Sequence, residues 1–192
     1  MNPQFFLNSI LFGVGLAMDA FSVSLSNGLN EPGMPRSKSF LIAGTFALFQ
    51  FLMPMIGWFS VHTIEEAFHA VSRFIPWIAL VLLLYIGAKM LLEGIRNKDT
   101  EHEKATVGTG SLVVQAVATS IDALSVGFTI SEFGPVPAAV ESVIIGVVTF
   151  FICLAGVGIG KKAGTRLAGK ASILGGIILI VIGIEIFLKG IL

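Results

Sequence analysis

The chain has 192 residues, of which 55% are hydrophobic and 12% charged, and its mean hydropathy is +0.92. That charge content is about half that of an ordinary soluble domain, so the composition is that of an all-α integral membrane protein with almost no soluble part. The formal net charge of zero gives no case for a nucleic-acid partner, and the single cysteine, Cys153, excludes an intrachain disulfide and any C-x-x-C redox motif.

A membrane span needs roughly 20 mostly apolar residues. Six segments meet that length in chain order: Phe5–Ser26, Phe40–Val61, Ile75–Leu92, Ser111–Ile130, Ala138–Gly160 and Ala171–Leu188. None alternates as a membrane β-strand does. Met1 to Gln4 lacks the positive start of a signal peptide, so the first segment is read as a retained helix. Between the second and third spans, Ile64, Phe68, Val71 and Ile75 recur at helical spacing among polar residues, which predicts a short amphipathic helix near 63–74. Residues 97–110, with K-D-T-E-H-E-K, read as a solvated linker between two halves, 1–96 and 111–192.

Lysine and arginine set the orientation. Arg36, Lys38, Arg96, Lys98, Lys104, Lys161, Lys162, Arg166 and Lys170 fall in the first, third and fifth loops, whereas the other side has only Arg73 and Lys189. The odd loops are therefore expected in the cytoplasm and both termini outside.

The two halves repeat one another. A-M-D-A-F-S-V-S around Asp19 matches S-I-D-A-L-S-V-G around Asp122, an offset of 122 − 19 = 103. The same offset carries Ile56-Gly57 onto Ile159-Gly160, and I-G-A-K-M-L-L-E-G-I (Ile86–Ile95) matches I-G-I-E-I-F-L-K-G-I (Ile182–Ile191). Three spans per copy is an odd number, so the second copy enters from the opposite face. Six transmembrane helices as two inverted-topology three-helix repeats is the plan of many secondary transporters, with substrate held near the midplane.

An ionised carboxylate inside a span is expensive and marks function by default. Asp19 and Asp122 repeat that cost at matching places. Helical spacing puts Gln115, Thr119, Ser125 and Thr129 on the face of Asp122, and Gly15, Ser22 and Ser26 on the face of Asp19, with Asn8 further out. Pro54 can free backbone carbonyls in the second span, and Gln50, one turn earlier, is a neutral ligand candidate. Carboxylate, hydroxyl and amide oxygens suit a hard divalent cation, and two carboxylates balance its charge. The expected metal-binding set is Asp19, Asp122, Ser22, Ser125, Thr119 and Gln50. Lys89 and Glu185 hold equivalent places with opposite sign, which predicts an ion pair between the third and sixth spans, a gate or a structural tie. The stretch Gly164 to Ala171 falls one residue short of a phosphate-binding loop, ends in Ala171 where Ser or Thr would hold Mg²⁺, and follows no strand, so it implies no ATPase.

The assembled residues resemble the MntP family of manganese efflux pumps. The resemblance rests on M-D-A-F (Met18–Phe21), F-Q-F-L-M-P-M-I-G-W (Phe49–Trp58), I-G-A-K-M (Ile86–Met90), A-T-S-I-D-A-L-S-V-G (Ala118–Gly127) and L-G-G-I-I-L-I-V-I-G (Leu174–Gly183), and spans essentially the whole chain. It implies a transporter and not an enzyme, exporting cytoplasmic Mn²⁺ across a prokaryotic plasma membrane, with Asp19 and Asp122 as its membrane aspartates. Mn²⁺ is then the substrate, no cofactor is called for, the lipid bilayer is the surrounding partner, and a homodimer is compatible with the sequence. Alternating access with exchange for protons is the expected mechanism. The competing expectations are export of another divalent cation or, as in the lysine-exporter group, of an amino acid, whose carboxylate would want a cation where only Lys89 is available. An intramembrane aspartyl protease also uses two membrane aspartates, but its Y-D and G-x-G-D motifs are missing here.

Overall fold

The computed structural model describes residues 3–63, 75–96, 108–167 and 171–191. These form seven α-helices: α1 (Pro3–Asn30), α2 (Arg36–Thr63), α3 (Ile75–Arg96), α4 (Thr109–Thr119), α5 (Ile121–Thr129), α6 (Pro135–Leu167) and α7 (Ala171–Ile191), with a 3₁₀ turn at Ile130–Glu132 after α5. Among the described residues there is no strand. Among the described residues four stretches are long and apolar enough to cross a membrane: Pro3–Asn30, Arg36–Val61, Thr109–Glu132 and Pro135–Gly164. The expected amphipathic helix near 63–74 and most of the linker 97–110 lie outside the described residues.

The polarity of the bundle is the reverse of a soluble protein's. Its outer surface carries Leu7, Leu11, Phe40, Leu41, Phe59, Val81, Tyr85 and Phe151, all more than half exposed, while Ser24, Ser26, Asn27, Gln50, Gln115, Thr119, Ser120 and Thr149 are buried. Lipid offers no hydrophobic gain for helix association, so small and polar residues turn inwards, where close approach and hydrogen bonding hold the helices together.

Helix α1 runs parallel along α6, α2 packs on α5 and crosses α6, and α3 packs on α7. The α1–α6 seam begins where Gly13 meets Ile145 and Val148 and continues to Gly164 beside Leu29 and Pro32. The turn between α1 and α2 is fixed at this end. Lys38 pairs with Glu31, and Lys161 of α6 donates to the Met34 carbonyl at 2.6 Å.

Two close approaches are alike. A Cβ on Gly57 of α2 would collide with the Leu124 carbonyl and the Gly127 backbone of α5. A Cβ on Gly156 of α6 would fall 2.8 Å from the Phe21 carbonyl and 3.3 Å from the Ser24 Cβ of α1. Leu124 and Gly127 stand two and five residues after Asp122; Phe21 and Ser24 stand two and five after Asp19. Gly156 therefore makes the contact that resembles that of Gly57, and Gly160, which the sequence matches to Gly57, sits one turn further along against Gly28. From Asp122 to Gly156 is four residues fewer than from Asp19 to Gly57.

The fourth apolar segment, expected to span from Ser111 to Ile130, lies within the stretch Thr109–Glu132, and its helix is interrupted at Ser120. Helix α4 stops at Thr119, Ser120 has φ −107° and ψ 7°, and α5 starts at Ile121. Side chains take up the freed carbonyls. The Ser120 hydroxyl donates to Ala116 O at 2.7 Å and its backbone N–H to Val117 O at 3.2 Å, and the Thr119 hydroxyl donates to Gln115 O at 2.9 Å. Serine and threonine supply such donors where hydrocarbon supplies no water. The matching stretch of α1, around Ala17, is continuous.

Candidate cation site

The break puts Asp122 in the first turn of α5, where its Oδ1 accepts from the Ala123 N–H at 3.0 Å. A carboxylate at a helix N-terminus satisfies an orphan donor and sits at the positive end of the dipole. The C-terminal carbonyls of α4 lie on the other side of the same break. Asp19 lies inside the unbroken α1, half-buried as Asp122 is.

A buried side-chain hydrogen bond brings the two aspartates level. Asn27 Nδ2 of α1 donates to Gln115 Oε1 of α4 at 2.8 Å. Asn27 comes eight residues after Asp19 and Gln115 seven before Asp122. Helices α1 and α4 run in opposite directions, so the two carboxylates come to about the same depth, roughly two turns beyond this bond. The flanking residues meet as well: Leu16 shares a core cluster with Ala123, and Ile121 packs against the cluster that holds Ala20.

Gln50 is fully buried on α2, and its Nε2 donates to the Leu16 carbonyl at 2.9 Å, one turn before Asp19. Its Oε1 is buried without a hydrogen-bond partner. Pro54 has no N–H to offer the Gln50 carbonyl four residues earlier, so Gln50 presents a backbone oxygen as well. Thr119 is buried beside the break, with its hydroxyl proton committed to carbonyls and its oxygen lone pairs left over. Ser22 is half-buried and donates to Met18 O at 3.0 Å; Ser125 is exposed on α5. Among the described residues no three His, Cys, Asp or Glu side chains gather. A cation here would rest on two carboxylates with neutral oxygens around them.

The expected Lys89–Glu185 pair would join α3 to α7, which pack against one another. Gly87 of α3 faces Gly176 and Ile180 of α7, and the Trp77 and Phe187 rings are 4.6 Å apart. The Lys89 side chain itself lies outside the described residues.

Three of the buried polar residues that escaped the sequence reading are informative. Asn27 sits past the end of the first expected span. Thr149 looks like core. Glu141 is a carboxylate inside the fifth span, 2% exposed, with Oε2 unpartnered; it shares a helix face with Ala138 and Ile145, which pack against Leu16 and Ala123. The carboxyl at Glu141 was itself a legible signal.

The family described as "Putative manganese efflux pump" (Mntp) matches residues 33–187. Relatives named "Putative manganese efflux pump MntP" extend over nearly all of the chain. One from Methanobrevibacter smithii is 41% identical over 182 residues, covering 95% of this chain and 96% of that protein. Another, MntP 2 of Clostridium botulinum strain Langeland, is 41% identical over 193 residues, covering 95% and 94%. A third, from Ruminiclostridium cellulolyticum, is 39% identical over 181 residues, covering 94% of each. No solved structure matches the chain. The chain therefore belongs to the MntP family, whose members are transporters and not enzymes.

Proposed function

We propose that this protein is a secondary-active exporter of cytoplasmic Mn²⁺, working by alternating access around a midplane site built on Asp19 and Asp122. One observation carries the reading: the break at Ser120 sets Asp122 between two half-helix ends, level with Asp19. Discontinuous helices with a carboxylate at the break are how many transporters bind ions, since unwound carbonyls and carboxylate oxygens replace the hydration shell. The oxygen-only set suits Mn²⁺ among hard and borderline divalent ions, and the names of the relatives supply the metal.

The frame for this is six spans, with α3 and α7 completing the four long ones, in two inverted repeats, 1–96 and 111–192, joined by a cytoplasmic linker. The paired glycine contacts support it, because Gly57 on α5 and Gly156 on α1 exchange places under the repeat. The membrane is the prokaryotic plasma membrane, with both termini outside. One chain holds every residue of the site.

Export runs against a negative-inside potential. Moving two charges outward costs about 4.6 kcal/mol at 100 mV, from about 2.3 per charge. Two protons entering on Asp19 and Asp122 as one Mn²⁺ leaves make the exchange electroneutral and couple it to the proton gradient. The test is Mn²⁺ transport in vesicles holding the purified protein. Asp19→Asn and Asp122→Asn are each expected to abolish it, and collapsing the pH gradient to slow it at least tenfold. Unchanged efflux in either aspartate variant would sink the site, and indifference to the gradient would sink the proton coupling.

A further inference from the structure

We propose that Thr149 supplies a further side-chain oxygen of the cation site, as the counterpart on α6 of Gln50 on α2; this rests on the transporter reading above. Thr149 is fully buried, and its Oγ1 has no hydrogen-bond partner among the described residues. Its neighbours show how unusual that is. Ser9, Thr45, Ser60 and Ser142 each donate to the carbonyl four residues earlier in their helix. Thr149 has the Ile145 carbonyl within the same reach and does not use it. A buried hydroxyl left unpaired costs about 1–3 kcal/mol, so its persistence needs a reason.

The reason is its place. Gly57 and Gly156 occupy like positions against α5 and α1, as described above. Gln50 lies seven residues before Gly57, and Thr149 lies seven before Gly156. Where α2 and α6 cross, Gly146 meets Ala47, and these stand three residues before Thr149 and Gln50. Among the described residues four buried side-chain atoms lack partners: Ser24 Oγ, Gln50 Oε1, Glu141 Oε2 and Thr149 Oγ1. Only Gln50 and Thr149 are counterparts. The place of Ser24 is taken by Gly127 in the other half, and that of Glu141 by Ile42.

The site then consists of two related pairs, Asp19 with Asp122 and Gln50 with Thr149. Two carboxylates and two neutral oxygens fit a hard divalent cation. The neutral pair leaves the charge balance to the aspartates, and its oxygens stay unpaired because a cation is what satisfies them.

The test compares Thr149→Val, which keeps the shape and removes the hydroxyl, with Thr149→Ser, which keeps it. Binding is read from the loss of the free Mn²⁺ magnetic-resonance signal on titrating purified protein. The Kd is expected to rise at least tenfold in the valine variant and to stay within twofold of wild type in the serine variant. The metal-free thermal midpoint of the valine variant is expected to equal or exceed that of wild type, which a purely structural hydroxyl would not allow. Wild-type Mn²⁺ affinity in the valine variant overturns the proposal. If the valine variant fails to fold, Thr149→Ala against Thr149→Ser decides in the same way. Asp19→Asn and Asp122→Asn serve as the reference: affinity lost there but kept in the valine variant removes Thr149 alone, while affinity kept in all of them removes the transporter site itself.

Discussion

Buried polar atoms in this bundle divide into those that hold helices together and those that wait for something. Asn27–Gln115 and Ser26 with the Gly175 carbonyl, at 2.9 Å, belong to the first kind. Removing one partner strands the other. Asn27→Leu is expected to leave the Gln115 amide unsatisfied and to lower stability by about 1–3 kcal/mol, measurable as a loss of thermal midpoint in detergent. Glu141 behaves in the opposite sense. Its carboxyl has an oxygen with no hydrogen-bond partner among the described residues, so Glu141→Gln should raise the thermal midpoint, and a fall would show that the carboxyl makes a contact on which the fold depends.

At the scale of elements, the glycines separate by what stands over them. Gly156 and Gly57 let backbones touch, and a methyl group there meets carbonyl oxygen; overpacking of this kind costs about 1–3 kcal/mol. Gly158, two residues from Gly156 on the same helix, has open space where a Cβ would go. Gly158→Ala is thus expected to be neutral or to stabilise by up to about 1 kcal/mol, since glycine is the poorer helix former. Gly156→Ala should lower the yield of folded protein, and equal yields from the two variants would contradict the seam. Composition could not make this distinction, because all glycines in an apolar run look alike until a neighbour is placed above them. The break at Ser120 was equally hidden. An apolar run with Thr119 and Ser120 inside it has the same composition whether the helix continues or stops.

At the scale of the whole molecule, class and site were legible for a physical reason: hydrocarbon penalises charge so heavily that Asp19 and Asp122 declare themselves in sequence. Thr119 followed from helical spacing around Asp122, and Gln50 from its place one turn before Pro54. Thr149 did not, because threonine is common in membrane helices and its distinction is a missing hydrogen bond. The orientation rests on the basic loops that include Arg36 and Lys161. A cysteine placed at Asn2 in a Cys153→Ala protein should be labelled from outside intact cells by an impermeant thiol reagent, and one at Lys162 should not. The reverse pattern would turn the protein over and make the export reading untenable.

The interruption between α4 and α5 also has a kinetic signature. Amide hydrogens in the middle of a membrane helix are shielded twice, by their bonds and by lipid. At Ser120 the regular ladder is interrupted, and its N–H turns to Val117 O at 3.2 Å. Deuterium should therefore enter at Ile121 and Asp122 long before it reaches Ala116 or Val126. It would mark an island of rapid exchange at mid-depth, where water must come and go for the site to load and empty.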